Sequence, residues 1–151
     1  MIEPLMAAIY KRFMGDDGAA TREILTGGLW PLQMPQGVAS ANSWPPHAVY
    51  IPLAGTKADT MSSYIDEHLV QFSVFVPEEG DDNESGFKKC LQARDRLVQC
   101  YDDVLLTLEP DEDMPTCRVI MARRQDAGAV VKDPDGGWSA SVTYNYMVSV
   151  G

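Results

Sequence analysis

The sequence predicts an α+β fold, with one mainly antiparallel four-stranded sheet that carries helices on one face in the order α-β-β-α-β-β. The last fourteen residues, 138–151, alternate apolar and small polar side chains almost without error, as a strand with one buried face does. A helical stripe over 84–103 separates two pairs of strand-like segments. No repeat or linker divides the 151 residues, so we expect one domain over 1–151.

Helical patterns open the chain. Apolar residues at helical spacing predict a first helix over Glu3–Met14, and a second, shorter helical piece is expected over Ala19–Leu25. The segment 29–47 contains four prolines, which exclude a long helix or a central strand. A short strand is possible over Leu29–Leu32.

Two strands are predicted next. The segment Ala48–Leu53 is rich in β-branched and aromatic residues, and Pro52 places its end at a sheet edge. A polar, protruding loop is expected over Gly55–Ser63. The second strand, Asp66–Val76, has apolar residues on the same parity as His68, which we interpret as a hydrogen-bonded sheet histidine, whereas His47 is interpreted as a loop residue.

The long helix is expected from about Glu84 to Asp103. Its stripe has a single basic member and comprises Phe87, Cys90, Leu91, Arg94, Leu97, Val98 and Tyr101. The three cysteines, Cys90, Cys100 and Cys117, form no C-x-x-C pair, so we interpret all three as buried small apolar residues rather than disulfide partners or zinc ligands.

Two more strands complete the sheet. The third, Thr116–Arg124, is expected to present Cys117, Val119 and Met121 on one side. A strong turn at 133–137 leads into the final strand, whose apolar parity should pack beneath the long helix. The other parity is small and uncharged, and the face that it forms is expected to meet water or another protein; it comprises Ser139, Ser141, Thr143, Asn145 and Ser149.

Charge restricts the partners. The net charge is −10, and residues 78–113 alone hold twelve acids and four bases. So acidic a chain repels nucleic-acid phosphates, although it could line a passage through which DNA slides. Acid pairs such as Glu78–Glu79 lack the ligand spacing of a defined cation site, so no metal is expected. We find no membrane-spanning apolar run and no signal peptide, which predicts synthesis in a cytoplasm without membrane binding.

The sequence offers no catalytic motif. Phosphate-binding, dinucleotide-binding, zinc-protease, nucleophile-elbow and EF-hand patterns are all missing from it. The best constellation joins Asp66-Glu67-His68 to Cys117 or Ser73, and it fails because adjacent strand residues face opposite sides. We therefore predict no enzyme and no cofactor. The alternative, a small ligand-binding or enzymatic domain, would need a pocket in the segment 29–47, with Trp30, Trp44 and His47 as its wall.

The layout of these segments resembles a known family. The matching features are the first helix, the strand Pro46–Pro52, the block His68–Pro77, the helix Phe87–Tyr101, the strand ending in Arg123-Arg124 and the turn before the last strand. In this order they resemble the tail terminator, or tail completion, proteins of tailed phages, the family of the lambda-type minor tail protein U. The match covers essentially the whole chain and is one of layout rather than of an invariant motif.

The chain also departs from the family. It has Gly28–Leu32 where members often carry an arginine-containing strand, and it is longer around 29–46 and 54–66. Related folds serve as neighbouring neck and tail components, so a head-tail connector is the alternative within the virion.

The resemblance implies a structural virion protein that is not an enzyme. Members form a ring, commonly a hexamer, at the head-proximal end of the tail, where they stop tail-tube polymerisation and present a surface for head joining. The expected partners are further copies of the chain, the tail tube protein and a head-completion or neck protein. DNA is expected to pass through the lumen without specific binding.

We predict the contact residues from charge and position. The loop Gly55–Ser63, with Lys57 and Asp59, and the acidic segment Glu109–Asp113, with Asp111, Glu112 and Asp113, are expected near inter-subunit or tube contacts. Arg118, Arg123 and Arg124 are the expected partners of acidic loops, in the same chain or in a neighbouring copy.

Overall fold

A computed structural model describes residues 2–33, 45–59, 64–77, 83–109, 116–134 and 136–150. The helices are α1 (Ile2–Met14), α2 (Ala19–Ile24) and α3 (Asn83–Tyr101), with one 3₁₀ turn at Asp16–Gly18 between the first two. The strands are β1 (Leu29–Pro31), β2 (His47–Asp59), β3 (Tyr64–Val76), β4 (Cys117–Ala127), β5 (Val131–Lys132) and β6 (Trp138–Val150). The α+β class is confirmed.

The sheet is mixed and has six strands, so the prediction of four strands was too simple. The strand order is β1-β2-β3-β6-β4, with β5 paired to β6. β1 runs parallel to β2, and every other described pairing is antiparallel. Of the two additional strands, β1 lies within Leu29–Leu32, where a short strand was considered, and β5 is two residues long, too short to produce a period-two pattern in the sequence. The four long strands are antiparallel, as predicted.

The strand β6 lies in the interior of the sheet, between β3 on one side and β4 and β5 on the other. It is 13 residues long, with the predicted bounds, and it pairs with β3 along its whole length. Its second side pairs with β4 from Val142 to Val150 and with β5 at its start. An interior position explains the length and regularity of the pattern, because both edges of the strand are satisfied by ladder hydrogen bonds.

The helices pack on one face of the sheet, as predicted. The buried side chains of this face are the even-numbered residues of β3 and β6, among them Val70, Phe72, Val74, Val142, Tyr144, Tyr146 and Val148. Tyr50 of β2 donates its hydroxyl to Met6 O of α1 over 3.2 Å. Tyr101 of α3 donates to Ile9 O over 2.7 Å, and its ring lies 4.8 Å from that of Phe72. These bonds join two helices and the sheet in one core.

Two residues of the helix layer, Gly18 and Arg94, are explained by their contacts with backbone carbonyl oxygens. A Cβ on Gly18 would lie 2.0 Å from Phe13 O, so only glycine fits between α1 and α2. Arg94, the basic member of the α3 stripe, donates from Nη1 to Gly128 O over 2.9 Å. The cation therefore ties α3 to the segment between β4 and β5 instead of facing solvent alone.

The hairpin between β2 and β3 is longer than predicted. β2 continues through Asp59, with Lys57 opposite Asp66 and Asp59 opposite Tyr64, so the predicted loop Gly55–Ser63 is wrong for its first half. Backbone pairing does not require apolar side chains, and the polar composition of this segment concealed the strand. Pro52 does not end β2 at all, because it lies beside a β-bulge, where a sheet tolerates proline.

A bulge in β4 overturns the predicted face of Met121. Val119 pairs with Val148 and Met121 with Met147, so Ile120 is an inserted residue between two consecutive pairs. The insertion turns Met121 away from the helices and places Ala122 in the core opposite Tyr146. A second bulge lies between Arg124 and Asp126.

Two further residues differ from prediction, His47 in its secondary structure and Cys117 in its burial. His47 is the first residue of β2 rather than a loop residue, and it is 0% exposed with its ring stacked 5.3 Å from Phe75. No disulfide joins the three cysteines, and Cys90 and Cys100 are buried as predicted. Cys117 is only half-buried, because it lies at the start of the edge strand β4.

Candidate assembly surface

The sheet face opposite the helices carries no helix among the described residues, and we call it the helix-free face. The register places side chains of β4 and β6 side by side on it. Arg118 lies opposite Ser149, Met121 opposite Met147, and Arg123 opposite Asn145. The other members on these two strands are Asp126, Thr143, Ser141 and Ser139. The uncharged row predicted for β6 therefore exists, and a row with two arginines runs beside it.

Exposure differs between the two rows. Arg118 and Arg123 are exposed, whereas Met121 and Met147 are half-buried. Asn145 is only 5% exposed and donates from Nδ2 to Glu67 Oε1 of β3. Its Oδ1 has no hydrogen-bond partner among the described residues, which makes it a costly group to bury. Asn145 and the two methionines are thus buried or half-buried, whereas the two arginines of β4 are exposed to solvent.

Arg123 and Arg124 lie on opposite faces of the sheet, although both were predicted to contact acidic loops. Arg124 lies opposite Tyr144 on the helix side, and its Nη1 is 3.6 Å from Asp102 Oδ2. Tyr144 donates its hydroxyl to Asp102 Oδ1 over 2.7 Å. Burial, together with this bond to the carboxylate, raises the pKa of Tyr144, so the phenol stays protonated and acts as the donor. Arg123 forms no ion pair with another described residue.

The other predicted contact residues do not gather around these arginines. Lys57 and Asp59 lie at the far end of β2, and their side chains are outside the described part of the chain. β2 is three strands away from β4, a distance of about 14 Å at the usual strand spacing. Asp111, Glu112 and Asp113 lie outside the described residues. Their role at a contact stays a prediction.

The catalytic constellation considered from sequence does not assemble. Asp66 and His68 share the helix side of β3, while Glu67 points to the helix-free face and binds Asn145. Ser73 also faces that side, with its hydroxyl 3.4 Å from that of Ser141. His68 was expected to be hydrogen-bonded, yet its Nε2 is buried without a partner among the described residues, and burial lowers its pKa.

The predicted pocket wall is used for internal contacts. Trp30 is half-buried and donates Nε1 to Gly27 O over 2.8 Å. His47 Nδ1 lies 3.0 Å from Pro45 O, and burial lowers the pKa of this histidine. Trp44 lies outside the described residues.

An open groove of about 260 Å³ lies instead between α1 and the segment Val104–Thr107. Its cations are already engaged, because Lys11 pairs with Glu109 and Arg12 donates to Cys100 O over 2.6 Å and to Asp17 over 3.2 Å. In the described part of the chain, no three His, Cys, Asp or Glu residues are placed to hold a metal ion. No described helix is both long and apolar enough to cross a membrane. The groove is lined by both polar and apolar groups, and Lys11 and Arg12 in its wall already have partners.

Sequence reasoning missed the two polar links of this region. The Tyr144–Asp102–Arg124 link joins β6, the end of α3 and β4, and the Asn145–Glu67 bond joins β6 to β3. The contacting pairs in these links are 22, 42 and 78 positions apart in sequence, so no local spacing could reveal them.

Comparison with known proteins gives a fold match. Neither a protein-family model nor a curated protein matches the chain. Among solved structures, 23 chains match it. One of these belongs to a structure described as "Virion of native gene transfer agent (GTA) particle"; it has a TM-score of 0.71, covers 96% of this chain and 94% of its own, and is 15% identical in sequence. At that identity the match shows a shared fold.

Proposed function

We propose that this protein is a structural subunit of a phage-like virion rather than an enzyme. The observation that carries the proposal is the fold match to a chain of a gene transfer agent virion, which extends over 96% of this protein and 94% of that chain. The sequence resemblance to tail terminators, reached from the order of elements, supports the same class.

We further propose a tail-terminator role within the virion. The protein would form a ring, commonly of six copies, at the head-proximal end of the tail. There it would stop growth of the tail tube and offer a surface to a neck or head-completion protein. A net charge of −10 supports passage of DNA through the lumen, because an acidic wall repels phosphate instead of holding it.

A tube-growth experiment tests this role. The tail tube protein of the same virus is polymerised with and without this protein, and the tubes are measured by negative-stain electron microscopy. We expect shorter tubes that carry a ring at one end only. Tubes of unchanged length without density at their ends would refute the terminator role. If this protein instead binds purified neck rings of the same virus in a parallel mixture, it is another neck component.

Tubes assembled from the tail tube protein of an unrelated phage are the control for specific capping. A structural ring subunit should bind the tubes of its own virion and leave these control tubes unchanged in length. A gold-labelled antibody against this protein, applied to intact particles, then locates it. Label at the head-tail joint supports the proposal, whereas label at the tail tip or over the head contradicts it.

A further inference from the structure

The three arginines of β4 stand out in an acidic protein. β4 carries three arginines and one aspartate, a net charge of +2, so the rest of a chain of net charge −10 carries −12. A basic strand on an acidic body is complementary to a second copy of the same body. Such complementarity steers association and selects the relative orientation of the copies.

Two of these arginines flank an apolar pair on the helix-free face. Arg118 and Arg123 are exposed, and between them Met121 lies opposite Met147. Small side chains, including Ser149, complete the neighbouring row on β6. Arginine and methionine are enriched at protein interfaces, because they combine charge or flexible apolar area with close packing. We call Arg118, Met121, Arg123 and Met147 the arginine–methionine patch.

Within the described part of the chain, the two arginines of the patch have no ion-pair partner. Arg124, on the other face of β4, is paired with Asp102. Arg118 and Arg123 form no ion pair with another described residue, although the chain holds 22 acids. Arginines that stay exposed in so acidic a chain are available to an acidic partner.

The geometry of β4 favours contact through side chains rather than through the strand edge. β4 is the last strand of the sheet, and β6 is its only described neighbour. Its two bulges, at Ile120 and Gln125, break the regular row of backbone groups that an added strand would need. A second copy is therefore held by the patch and not by an extension of the sheet.

Charge also bears on the symmetry of the contact. A two-fold contact with the patch on its axis would bring four arginines together, which like-charge repulsion disfavours. A head-to-tail contact places the patch against a different, acidic surface of the next copy. Head-to-tail contacts produce closed rings or open filaments, and two-fold contacts produce dimers.

We propose that the arginine–methionine patch binds an acidic surface of a second copy of this chain in a head-to-tail contact. The inference rests on the proposed function as a ring subunit and assigns the face through which the ring forms. The contact is electrostatic at its rim and apolar at the Met121–Met147 pair. It weakens as salt increases, because the arginines are solvent-exposed.

Sedimentation velocity of the full chain over a range of concentrations tests the proposal. Arg118→Glu/Arg123→Glu should weaken self-association by at least about tenfold, and Arg118→Lys/Arg123→Lys, which keeps the charge, should retain most of it. The pair Arg123→Glu and Arg124→Glu supplies a matched control. Both change the net charge equally at adjacent positions, but only Arg123→Glu is expected to reduce association, whereas Arg124→Glu should lower the melting temperature.

Mixing wild-type protein with Arg118→Glu/Arg123→Glu tests the head-to-tail geometry. The variant keeps its acidic surface, so it should join wild-type oligomers at one end and block their closure. Exclusion of the variant from wild-type oligomers would overturn the head-to-tail assignment.

Three results separate this inference from the proposed function. Wild-type rings that are unaffected by Arg118→Glu/Arg123→Glu overturn the patch assignment and leave the ring subunit proposal standing. Wild-type protein that stays monomeric at every concentration overturns direct self-docking, while tube capping still decides the terminator role. Unchanged association, together with patch-dependent binding of duplex DNA, assigns the patch to nucleic acid and also overturns the inference.

Discussion

The Tyr144 hydroxyl ties β6 to the end of the long helix, and Tyr144→Phe removes it without opening a cavity. Tyr144 is 0% exposed and donates to Asp102 Oδ1 over 2.7 Å. A hydrogen bond to a charged group contributes about 1.5–3 kcal/mol, and the partial exposure of Asp102 places this one near the lower end. We expect a loss of about 1–2 kcal/mol in the free energy of unfolding. That corresponds to a melting temperature lower by roughly 3–6 °C for a chain of this size.

Tyr146→Phe is the matched control. Tyr146 lies two residues further along β6 on the same face, is also 0% exposed, and its hydroxyl has no hydrogen-bond partner among the described residues. Removing a buried unpaired hydroxyl should leave stability unchanged or raise it by up to about 1 kcal/mol. The two substitutions delete the same atom from the same strand, so their difference measures the bond to Asp102.

Urea unfolding followed by tryptophan fluorescence measures both variants, at concentrations below self-association. A double-mutant cycle with Asp102→Ala should give a coupling of about 1–2 kcal/mol between Tyr144 and Asp102. Equal losses for Tyr144→Phe and Tyr146→Phe, or a coupling under about 0.3 kcal/mol, would refute the reasoning. In that case the layers are held by packing alone.

Three further predictions concern buried groups. Burial lowers the pKa of His47 and His68, so the unfolded chain binds protons more readily than the folded chain does. The free energy of unfolding should therefore reach its full value above about pH 6.5 and fall below that pH. His47→Gln should flatten this slope by up to about 1.4 kcal/mol per pH unit, measured from urea midpoints between pH 7.5 and 5.5. Gly86→Ala should cost about 1–2 kcal/mol in the same assay, because its Cβ would lie 2.6 Å from Trp138 Cδ1. In native protein, Cys117 should react with a thiol reagent well before the two buried cysteines of α3, as mass spectrometry of the labelled peptides will show.

Each of these predictions has a control. Gly15→Ala, whose Cβ would be 3.4 Å from Lys11 O, should be close to neutral, and a loss equal to that of Gly86→Ala would contradict the steric argument. Cys117→Ser should abolish the fast labelling phase. An unchanged pH slope in both His47→Gln and His68→Gln would mean that other groups bind the protons.

The sequence alone determined the parts of this fold that repeat a local rule. The period-two pattern of 138–150 predicted β6 with its bounds and its buried parity, since a strand's faces follow directly from residue spacing. Helical spacing predicted α1 and α3, with ends within two residues of the observed ones. The lack of catalytic motifs in the sequence and the net charge of −10 favoured the prediction of a structural role. Each of these signals comes from neighbouring residues and needs no knowledge of the partners.

Tertiary structure alone decided the rest, because it depends on which distant residues meet. The bulge at Ile120 moved Met121 to the helix-free face, and a one-residue insertion in a ladder leaves no trace in local periodicity. Pairing with β3 extended β2 through a polar segment that composition had marked as a loop. Adjacent strand positions face opposite sides by a local rule, but only the packing of α3 placed Asp102 beside Arg124 and left Arg123 on the helix-free face. The choice between a residue that stabilises the fold and one that is open to a partner was therefore made by register and packing, which are long-range properties of the folded chain.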